Sequence, residues 1–457
     1  MSNAGQKIQR MASATASGSE APRAVSRGAS SDIATSDPGN PSLPKALLEE
    51  ICQRSNLLQA LNRVASNQGK PGVDGMTVDE LPDYLRQHWG TMKEQLFNNE
   101  YQPSPIRRVL IPKPGGGQRQ LGIPTVVDRF IQQAILQVLQ KYWDSSFSEY
   151  SYGFRPKRSA HQAILQAQQY IAAGYQIVVD IDLEKCFDRV HHDKLMSELA
   201  KRIENKRVLK LIRSYLRAGV MEQGLVKPVT EGTPQGGPLS PFLSNVLLDL
   251  LDRELEKRGH RFVRYADDCN IFVKSERAGN RVMGSISRFI TKQLKLRINQ
   301  GKSAVAVMSC RKFLGFTFSC GRTPPKRRIS PASVKRFKDR VRIITAKYKG
   351  VSLNRVVSDL SIYLRGWKGY YGLCQTPSVL KTLEQWVRRR LRNLIWQQWK
   401  TCRNRYCQLR KLGIEKRSAH ALATCSKRSW YLSTNYTLQR ALNNQYFKAL
   451  GLPSLSQ

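Results

Sequence analysis

Two adjacent aspartates, Asp267 and Asp268, interrupt the segment 262–273, whose apolar residues otherwise follow a strand-like pattern. This pattern predicts a β-hairpin that presents the two carboxylates at its tip. Side-by-side carboxylates repel each other unless a cation lies between them. A solvated acidic turn is the alternative for an isolated pair of aspartates. Because the flanking strands are strongly apolar, we expect this pair at the edge of a core.

A further acidic position belongs to the apolar strand predicted at 176–183, which contains Asp180 and Asp182. These two residues are two positions apart along the strand and therefore share one of its faces. Three carboxylates that converge from two strands are what a two-metal phosphoryl-transfer site requires. The pattern therefore predicts a polymerase-type active site. The residues alone leave open which of Asp180, Asp182 and Asp188 completes it.

Alternating strands and helices surround these segments and predict an α/β (α+β) sheet domain that extends to about residue 320. Two short strands are expected within 105–124, on either side of a basic Gly-rich loop. Residues 1–45 are small and polar, with several prolines, and predict a disordered N-terminal tail. Apolar residues at helical spacing predict helices at 46–64, 128–142, 159–170 and 242–257.

The charge balance points to a polyanionic partner. The chain has 457 residues, with 75 Lys plus Arg against 34 Asp plus Glu and a net charge of +41. Nucleic acid is the first candidate and an anionic membrane surface the second. No apolar run is long enough to predict a transmembrane helix, and no secretory signal is visible. The nine scattered cysteines are expected to be reduced, so we predict a cytoplasmic location.

Much of this charge lies in the last 132 residues, where 29 Lys plus Arg face only 4 Asp plus Glu, a net charge of +25. The apolar pattern there is helical, and one helix combines a row of leucines with Trp386 and Trp396. Like charges repel at helical spacing, and phosphate would compensate them. The region is therefore predicted to bind nucleic acid. The clustered arginines of this helix are Arg388, Arg389, Arg390 and Arg392.

Seven short motifs follow one another along the chain. They are Gly-Lys-Pro-Gly-Val-Asp at 69–74, Ile-Pro-Lys-Pro-Gly-Gly-Gly-Gln-Arg-Gln-Leu-Gly-Ile-Pro at 111–124, Ser-Tyr-Gly-Phe-Arg-Pro at 151–156, Asp-Leu-Glu-Lys-Cys-Phe-Asp at 182–188, Thr-Pro-Gln-Gly-Gly-Pro-Leu-Ser-Pro at 233–241, Tyr-Ala-Asp-Asp at 265–268 and Phe-Leu-Gly-Phe at 313–316. With these motifs the chain resembles the reverse transcriptases encoded by bacterial group II introns, the intron-encoded maturases. The resemblance runs from about residue 46 to the C-terminus.

The resemblance implies an active site built on Asp182, Asp267 and Asp268. These three residues match the family's catalytic aspartates, which hold two Mg²⁺ ions. Asp188 is structural in this alignment, and Asp180 becomes a supporting carboxylate or a helix cap.

Further matches imply a site for the incoming nucleotide. Phe187 matches the bulky residue that lies under the incoming sugar and selects deoxyribose by a clash with the 2′-hydroxyl. Plain core packing is the alternative role for Phe187. Lys113 and Arg119 match fingers residues that clamp the triphosphate. Gln235 matches a residue beside the nucleotide and template, and Lys302 matches a lysine near the primer end, with a solvated loop lysine as the alternative.

The same resemblance implies a right-hand polymerase with three parts. Fingers and palm would occupy 46–325, a helical thumb called domain X would occupy 326–400, and a small basic helical DNA- or RNA-binding segment would occupy 401–457. The implied partners are the group II intron RNA in a ribonucleoprotein, target DNA and dNTPs, with no membrane. Only His420 lies beyond residue 261, so the His-Asn-His endonuclease domain of many family members is expected to be absent.

The implied function is an RNA-directed DNA polymerase that also acts as a maturase. It would bind its intron RNA, assist its splicing and copy it into DNA during target-primed retrohoming. One alternative is an RNA-binding splicing cofactor without polymerase activity, against which the three aspartates argue. Another alternative is a related reverse transcriptase used in host defence.

Overall fold

The computed structural model describes residues 43–455, apart from 113–115, 223–224, 228–230, 234–235, 320–323 and 347–349. The strands are β1 Ile106–Pro112, β2 Gln118–Ile123, β3 Ile177–Asp182, β4 Val220–Glu222, β5 Leu225–Lys227, β6 Arg261–Tyr265, β7 Asp268–Val273, β8 Ala304–Val307, β9 Phe316–Phe318 and β10 Arg327–Ile329. The helices are α1 Leu47–Ile51, α2 Arg54–Asn67, α3 Leu81–Asn98, α4 Val126–Trp143, α5 Ala160–Ala172, α6 His192–Ala200, α7 Lys206–Arg217, α8 Ser240–Lys257, α9 Glu276–Phe289, α10 Pro331–Ile344, α11 Leu353–Tyr371, α12 Pro377–Gln398, α13 Cys402–Lys411, α14 Lys416–Ala423, α15 Ser429–Leu432, α16 Tyr436–Ala441 and α17 Asn444–Ala449.

A four-stranded antiparallel sheet with the order β6-β7-β3-β8 lies at the centre of the part that precedes residue 320. Its strands are apolar on both faces, as expected for a sheet that is covered on both sides. Val179 and Ile271 belong to one hydrophobic core, while their neighbours Val178 and Phe272 belong to the other. This alternation follows the two-residue period of a strand.

Two smaller sheets complete the strand content of the described residues. In the first, with the order β2-β1-β4-β5, strand β1 pairs with β2 antiparallel and with β4 parallel. In the second, β9 pairs antiparallel with β10, which leads into the C-terminal helices. The hairpin predicted within 105–124 is therefore confirmed as β1 and β2.

The helix starts follow from local capping. Thr125 caps α4 by accepting the Asp128 backbone N–H at 3.1 Å, and Ser159 opens α5 in a capping box with Gln162. Three predicted helices, at 128–142, 159–170 and 242–257, are confirmed as α4, α5 and α8. In α4 and α5 the cap and the apolar periodicity agree, whereas α8 has a proline in its first turn and no side-chain cap.

The single helix predicted at 46–64 is wrong, because the chain forms two helices, α1 and α2, in this region. Gln53 separates them with an extended backbone, φ −62° and ψ 139°. The side chain of Asn56 then donates to the Ile51 carbonyl at 2.8 Å, which satisfies an acceptor at the end of the first helix. Apolar spacing continues across the break and conceals it in the sequence.

Two hydrophobic cores hold the helices against the two faces of the central sheet. The first packs α1 to α4 and α6 to α8 against one face of the central sheet. The second packs the other face of this sheet against the helices that follow residue 330, and it extends to Leu455. The predicted mixed α and β domain followed by an all-helical region is confirmed.

The predicted disordered tail lies outside the described residues except for 43–45, where Leu43 is 3% exposed and its backbone N–H donates to the Arg202 carbonyl. The eight cysteines among the described residues are all free thiols. Burial raises the pKa of the Cys186 thiol to about 12 and also raises the pKa of Cys269. Of the helices in the described ranges, none has the length and apolar character needed to cross a bilayer.

Candidate active site

The predicted acidic hairpin is present. Strands β6 and β7 are joined by only two residues, Ala266 and Asp267, and the pair Tyr265 and Asp268 closes the ladder. Asp267 therefore lies in the turn, and Asp268 is the first residue of β7. Both side chains are half-buried, as expected at the edge of a core.

Asp182 lies directly opposite Asp268, because β3 and β7 pair in a register that matches these two residues at their ends. The backbone of Asp182 is fixed on its other side. Its N–H donates to the Ser303 hydroxyl at 3.0 Å, and its carbonyl accepts the Asn299 N–H at 2.8 Å. The structure thus brings the three predicted aspartates to one end of the central sheet.

The electrostatics of this cluster follow from burial and mutual repulsion. Burial, together with the neighbouring charges of Asp180, Asp267 and Asp182, raises the pKa of Asp268 to about 7. Burial also raises the pKa of Asp180, although Arg311 opposes the shift. A cation bound among these carboxylates would lower their mutual repulsion.

Asp180 and Asp182 differ in their partners. The guanidinium of Arg311 donates to one carboxylate oxygen of Asp180 at 2.9 Å from Nε and 2.5 Å from Nη2. Asp182 is 36% exposed, and its nearest cation is the ammonium of Lys302 at 3.3 Å, itself 68% exposed. Asp182 is thus the more accessible carboxylate of this strand face, which agrees with its predicted role as a ligand.

The donor chemistry of the site fits Mg²⁺, which prefers carboxylate oxygens. Within the described ranges, no three acidic, histidine or cysteine side chains gather tightly enough to form a ready metal site. The ammonium of Lys302 lies beside Asp182, where it balances part of the negative charge. Asp182, Asp267 and Asp268 are the residues that would hold the two predicted ions, once Lys302 gives way to them.

Phe187 follows β3 on a short 3-10 helix, Cys186–Arg189, and is half-buried rather than part of either core. Its carbonyl accepts the Thr233 N–H at 2.6 Å. The ring of Phe154 meets the ring of Phe187 edge to face, with centroids 6.5 Å apart. Phe154 is 50% exposed and has a left-handed backbone with φ +57°, a conformation that is rare for a bulky residue. No sequence pattern predicts a role for Phe154, although it belongs to the motif at 151–156.

The side chains of three predicted nucleotide-binding residues lie outside the part of the chain that the structure describes. Lys113 and Gln235 lie outside the described residues. Arg119 lies on β2 opposite Ile111, and its side chain is also outside the description. Their roles stay predictions.

The clustered arginines of α12 make contacts inside the protein. Arg388 pairs with Glu384 at 2.6 Å, and Arg390 donates to the Thr345 hydroxyl at 3.1 Å. Arg389 stacks over the Trp430 ring at 4.1 Å. Arg392 is 8% exposed and donates to the Ser433 carbonyl at 3.0 Å. Charge repulsion along this helix therefore does not require phosphate, because carbonyls, a carboxylate and an aromatic ring already compensate these arginines.

Comparison with known protein families agrees with these features. Residues 111–318 match the family described as "Reverse transcriptase (RNA-dependent DNA polymerase)", and residues 334–413 match the "Group II intron, maturase-specific domain". The first match contains all three predicted aspartates, and the second contains the whole of α12. The fold and the acidic site thus define a polymerase of the reverse transcriptase class.

Two individual relatives support the same assignment, and one solved structure is also similar. Protein YkfC of Escherichia coli (strain K12) is 34% identical over 60% of this chain and 82% of its own length. The group II intron-encoded protein LtrA of Lactococcus lactis subsp. cremoris is 33% identical over 42% of this chain. The match spans about a third of LtrA, 32% of its length. A solved structure, "Partial Cas6-RT-Cas1--Cas2 complex", is 26% identical over 54% of this chain and 43% of that chain, with a TM-score of 0.36.

The chain therefore belongs to the reverse transcriptase family, in the group that carries a group II intron maturase-specific domain. The resemblance predicted from the motifs is confirmed. Membership in this group associates the chain with intron RNA and with RNA-directed DNA synthesis.

Proposed function

We propose that this protein is an RNA-directed DNA polymerase that binds its group II intron RNA, assists its splicing and copies it into DNA during target-primed retrohoming. The observation that carries this proposal is the placement of Asp182 opposite Asp268, with Asp267 in the adjoining turn. Target DNA and dNTPs are the further partners within this proposal. The cytoplasmic location is part of it as well.

The proposed chemistry assigns each group a role. Two Mg²⁺ ions bound by the three aspartates would activate the primer 3′-hydroxyl and neutralise charge on the pyrophosphate that leaves. Lys302 balances Asp182 before substrates arrive, and its exposed ammonium is free to turn towards phosphate. Phe187, which is half-exposed, would exclude the 2′-hydroxyl of a ribonucleotide in this proposal. Lys113, Arg119 and Gln235 complete the nucleotide site in this proposal.

The test is primer extension on an RNA template with dNTPs and Mg²⁺, using the wild-type chain and Asp267→Asn. Asp193→Asn is the matched control, because Asp193 is 68% exposed on α6 and pairs with Arg213 away from the acidic cluster. We expect extension to be lost in Asp267→Asn and kept in the control, with intron RNA bound equally by all three proteins. Extension by Asp267→Asn at the wild-type rate would refute the assignment of the site.

The alternative functions predict different results. A splicing cofactor without polymerase activity would bind and help fold intron RNA, while even the wild-type chain would fail to extend a primer. A host-defence reverse transcriptase would extend primers but would show no preference for intron RNA over unrelated structured RNA.

A further inference from the structure

A buried arginine lies directly behind the acidic turn. Arg264 is the residue before Tyr265 on β6 and is 0% exposed. Its Nε donates to one oxygen of Asp252 at 2.7 Å, and Nη2 donates to the other at 2.5 Å and to the Ser151 hydroxyl at 2.7 Å. Nη1 donates to the Asn245 side-chain carbonyl and to the Ala266 backbone carbonyl, both at 2.9 Å. All five N–H groups of the guanidinium therefore have an acceptor.

The partners of Arg264 are themselves fixed. Asp252 is 0% exposed and Asn245 is 1% exposed, and both lie on α8. Burial alone works against the charged guanidinium, but the carboxylate of Asp252 offsets this, so the pKa of Arg264 is raised. Apolar side chains of similar volume often stabilise a core as well as a buried ion pair does. Stability alone therefore does not account for the pair of Arg264 and Asp252, and the geometry that it imposes on its neighbours is the better explanation.

The neighbour on which Arg264 imposes its geometry is Ala266, in the turn between β6 and β7. Of the two residues in the turn, Ala266 alone has a positive φ, +58°, which identifies a type II′ turn. Glycine is usual at this position, because a Cβ is strained there. The bond from Arg264 Nη1 to the Ala266 carbonyl holds the strained peptide in place.

A second contact encloses the same turn from the other side. A Cβ added to Gly153 would come within 2.3 Å of the Ala266 backbone nitrogen, so this backbone lies against the turn. The amide of Asn245 donates to the Gly153 carbonyl at 2.8 Å while its own carbonyl accepts from Arg264. One network thus fixes both the turn and the segment that it packs against.

We propose that Arg264 is a positioning residue that holds the Ala266–Asp267 turn in its left-handed conformation and so directs the Asp267 carboxylate towards Asp182. Without this bond the strain at Ala266 would be relieved by rotation of the peptide that precedes Asp267. The carboxylate of Asp267 would then move away from the other two aspartates. This inference rests on the proposed function for its kinetic consequence, but its structural part does not depend on it.

The test compares Arg264→Lys with Arg155→Lys. Arg155 is a matched control, because it is 8% exposed, pairs with Asp144 at 2.8 Å and donates to the Ser148 carbonyl, yet makes no bond to the turn. Lysine keeps the charge in both variants but cannot supply five donors. Four quantities are measured: the melting temperature, Mn²⁺ binding by electron paramagnetic resonance, amide hydrogen exchange of a peptide spanning 262–270, and kcat and KM for primer extension.

We expect both variants to melt at lower temperature. Only Arg264→Lys should bind Mn²⁺ more weakly, exchange faster across the turn and lose kcat, on the order of 100-fold, with KM for primer–template unchanged. Adding Ala266→Gly to Arg264→Lys should restore part of the kcat and the Mn²⁺ binding, because glycine adopts a positive φ without strain.

The proposal is overturned if Arg264→Lys matches Arg155→Lys in Mn²⁺ binding and in exchange across the turn. If Arg264→Lys does not fold, Asn245→Ala is judged by the same measurements, since it frees one side of the guanidinium and keeps the ion pair with Asp252. If the wild-type chain fails to extend primers, the proposed function fails, while metal binding and hydrogen exchange still decide the role of Arg264.

Discussion

At the scale of single residues, Phe154 has the most direct consequence for substrate choice. Its exposed ring abuts Phe187, the residue predicted to select the sugar. An edge-to-face aromatic pair is worth about 1 kcal/mol, or roughly fivefold in a ratio of rates. We expect Phe154→Ala to lower the preference for dNTPs over rNTPs by about this factor, because the ring of Phe187 loses its support.

The measurement is the ratio of dNTP to rNTP incorporation under single-turnover conditions. Leu165→Ala is the control, since Leu165 is an exposed apolar residue, 39% accessible, on α5. Equal ratios for Phe154→Ala and Leu165→Ala would show that Phe154 does not support the sugar site.

The titration of His192 predicts how the stability of the fold depends on pH. Its Nε2 lies 2.7 Å from the Gly232 carbonyl, and burial lowers the pKa of His192 below its usual value of about 6.5. The unfolded chain therefore binds a proton more readily than the folded chain, so the free energy of unfolding falls as the pH drops below about 6.5. His192→Gln keeps a donor but has no such titration.

Thermal melts of the wild-type chain and His192→Gln between pH 5 and pH 8 test this expectation. The wild-type melting temperature should fall on acidification by more than that of the variant. Parallel curves for the two proteins would contradict the shift assigned to His192.

The active-site aspartates could be predicted from sequence because an alternating apolar pattern fixes both where a strand ends and which side chains share a face. Asp267 and Asp268 needed nothing more than this, whereas the choice of Asp182 over Asp180 and Asp188 rested on the family resemblance. Arg264 could not be predicted in the same way, since a charged residue is ordinarily exposed. Its partners Ser151 and Asp252 are separated from it by 113 and 12 residues, so only the fold reveals the network.

At the scale of elements, α12 shows how a basic helix can serve the fold. Arg392 donates to the carbonyls of Ser433 and Leu442, and burial, together with Arg388 and Arg389, lowers its pKa to about 10. Replacement by methionine would leave buried acceptors without donors. We expect Arg392→Met to lower the free energy of unfolding by about 1–3 kcal/mol.

Denaturant unfolding gives this change, and the salt dependence of RNA binding shows whether phosphate is also contacted. Lys381→Met is the control, because Lys381 is an exposed cation on the same helix. A flatter salt dependence with unchanged stability for Arg392→Met would favour the nucleic-acid contact predicted from sequence over the structural role.

Helices could be predicted from sequence where the apolar periodicity extends over many residues and the capping residue lies next to the helix start. The caps of α4 and α5 lie within three residues of the groups they bind. Arg388 has a partner on its own helix, Glu384. The partners of the other three α12 arginines, by contrast, lie more than 40 residues away in sequence, at Thr345, Trp430 and Ser433. Charge density along one helix cannot reveal such partners, which is why the sequence favoured phosphate.

At the scale of the whole molecule, the second core joins the outer face of the central sheet to the C-terminal helices. Val178, Val263 and Phe272 from the sheet share this core with Phe337, Trp367 and Leu391. A chain that ends at residue 325 would expose this face of the sheet to water. We expect the shortened chain to melt at lower temperature than the full chain and to bind a hydrophobic dye.

Thermal melts with dye fluorescence of both chains test this. In the full chain, Phe272→Ala should also destabilise the fold, by about 3–5 kcal/mol, because Phe272 is 1% exposed. A shortened chain that melts like the full chain would show that the sheet does not need its helical cover.

The shared core also constrains how such enzymes can be recombined. A chimaera that exchanges everything after residue 325 for the equivalent region of a relative would place foreign side chains against Tyr170, Val263 and Phe272. The junction that looks natural along the chain therefore cuts through a packed interior. A working hybrid would have to carry these sheet and α5 residues along with the helices, so the unit of exchange is a set of contacts rather than a stretch of sequence.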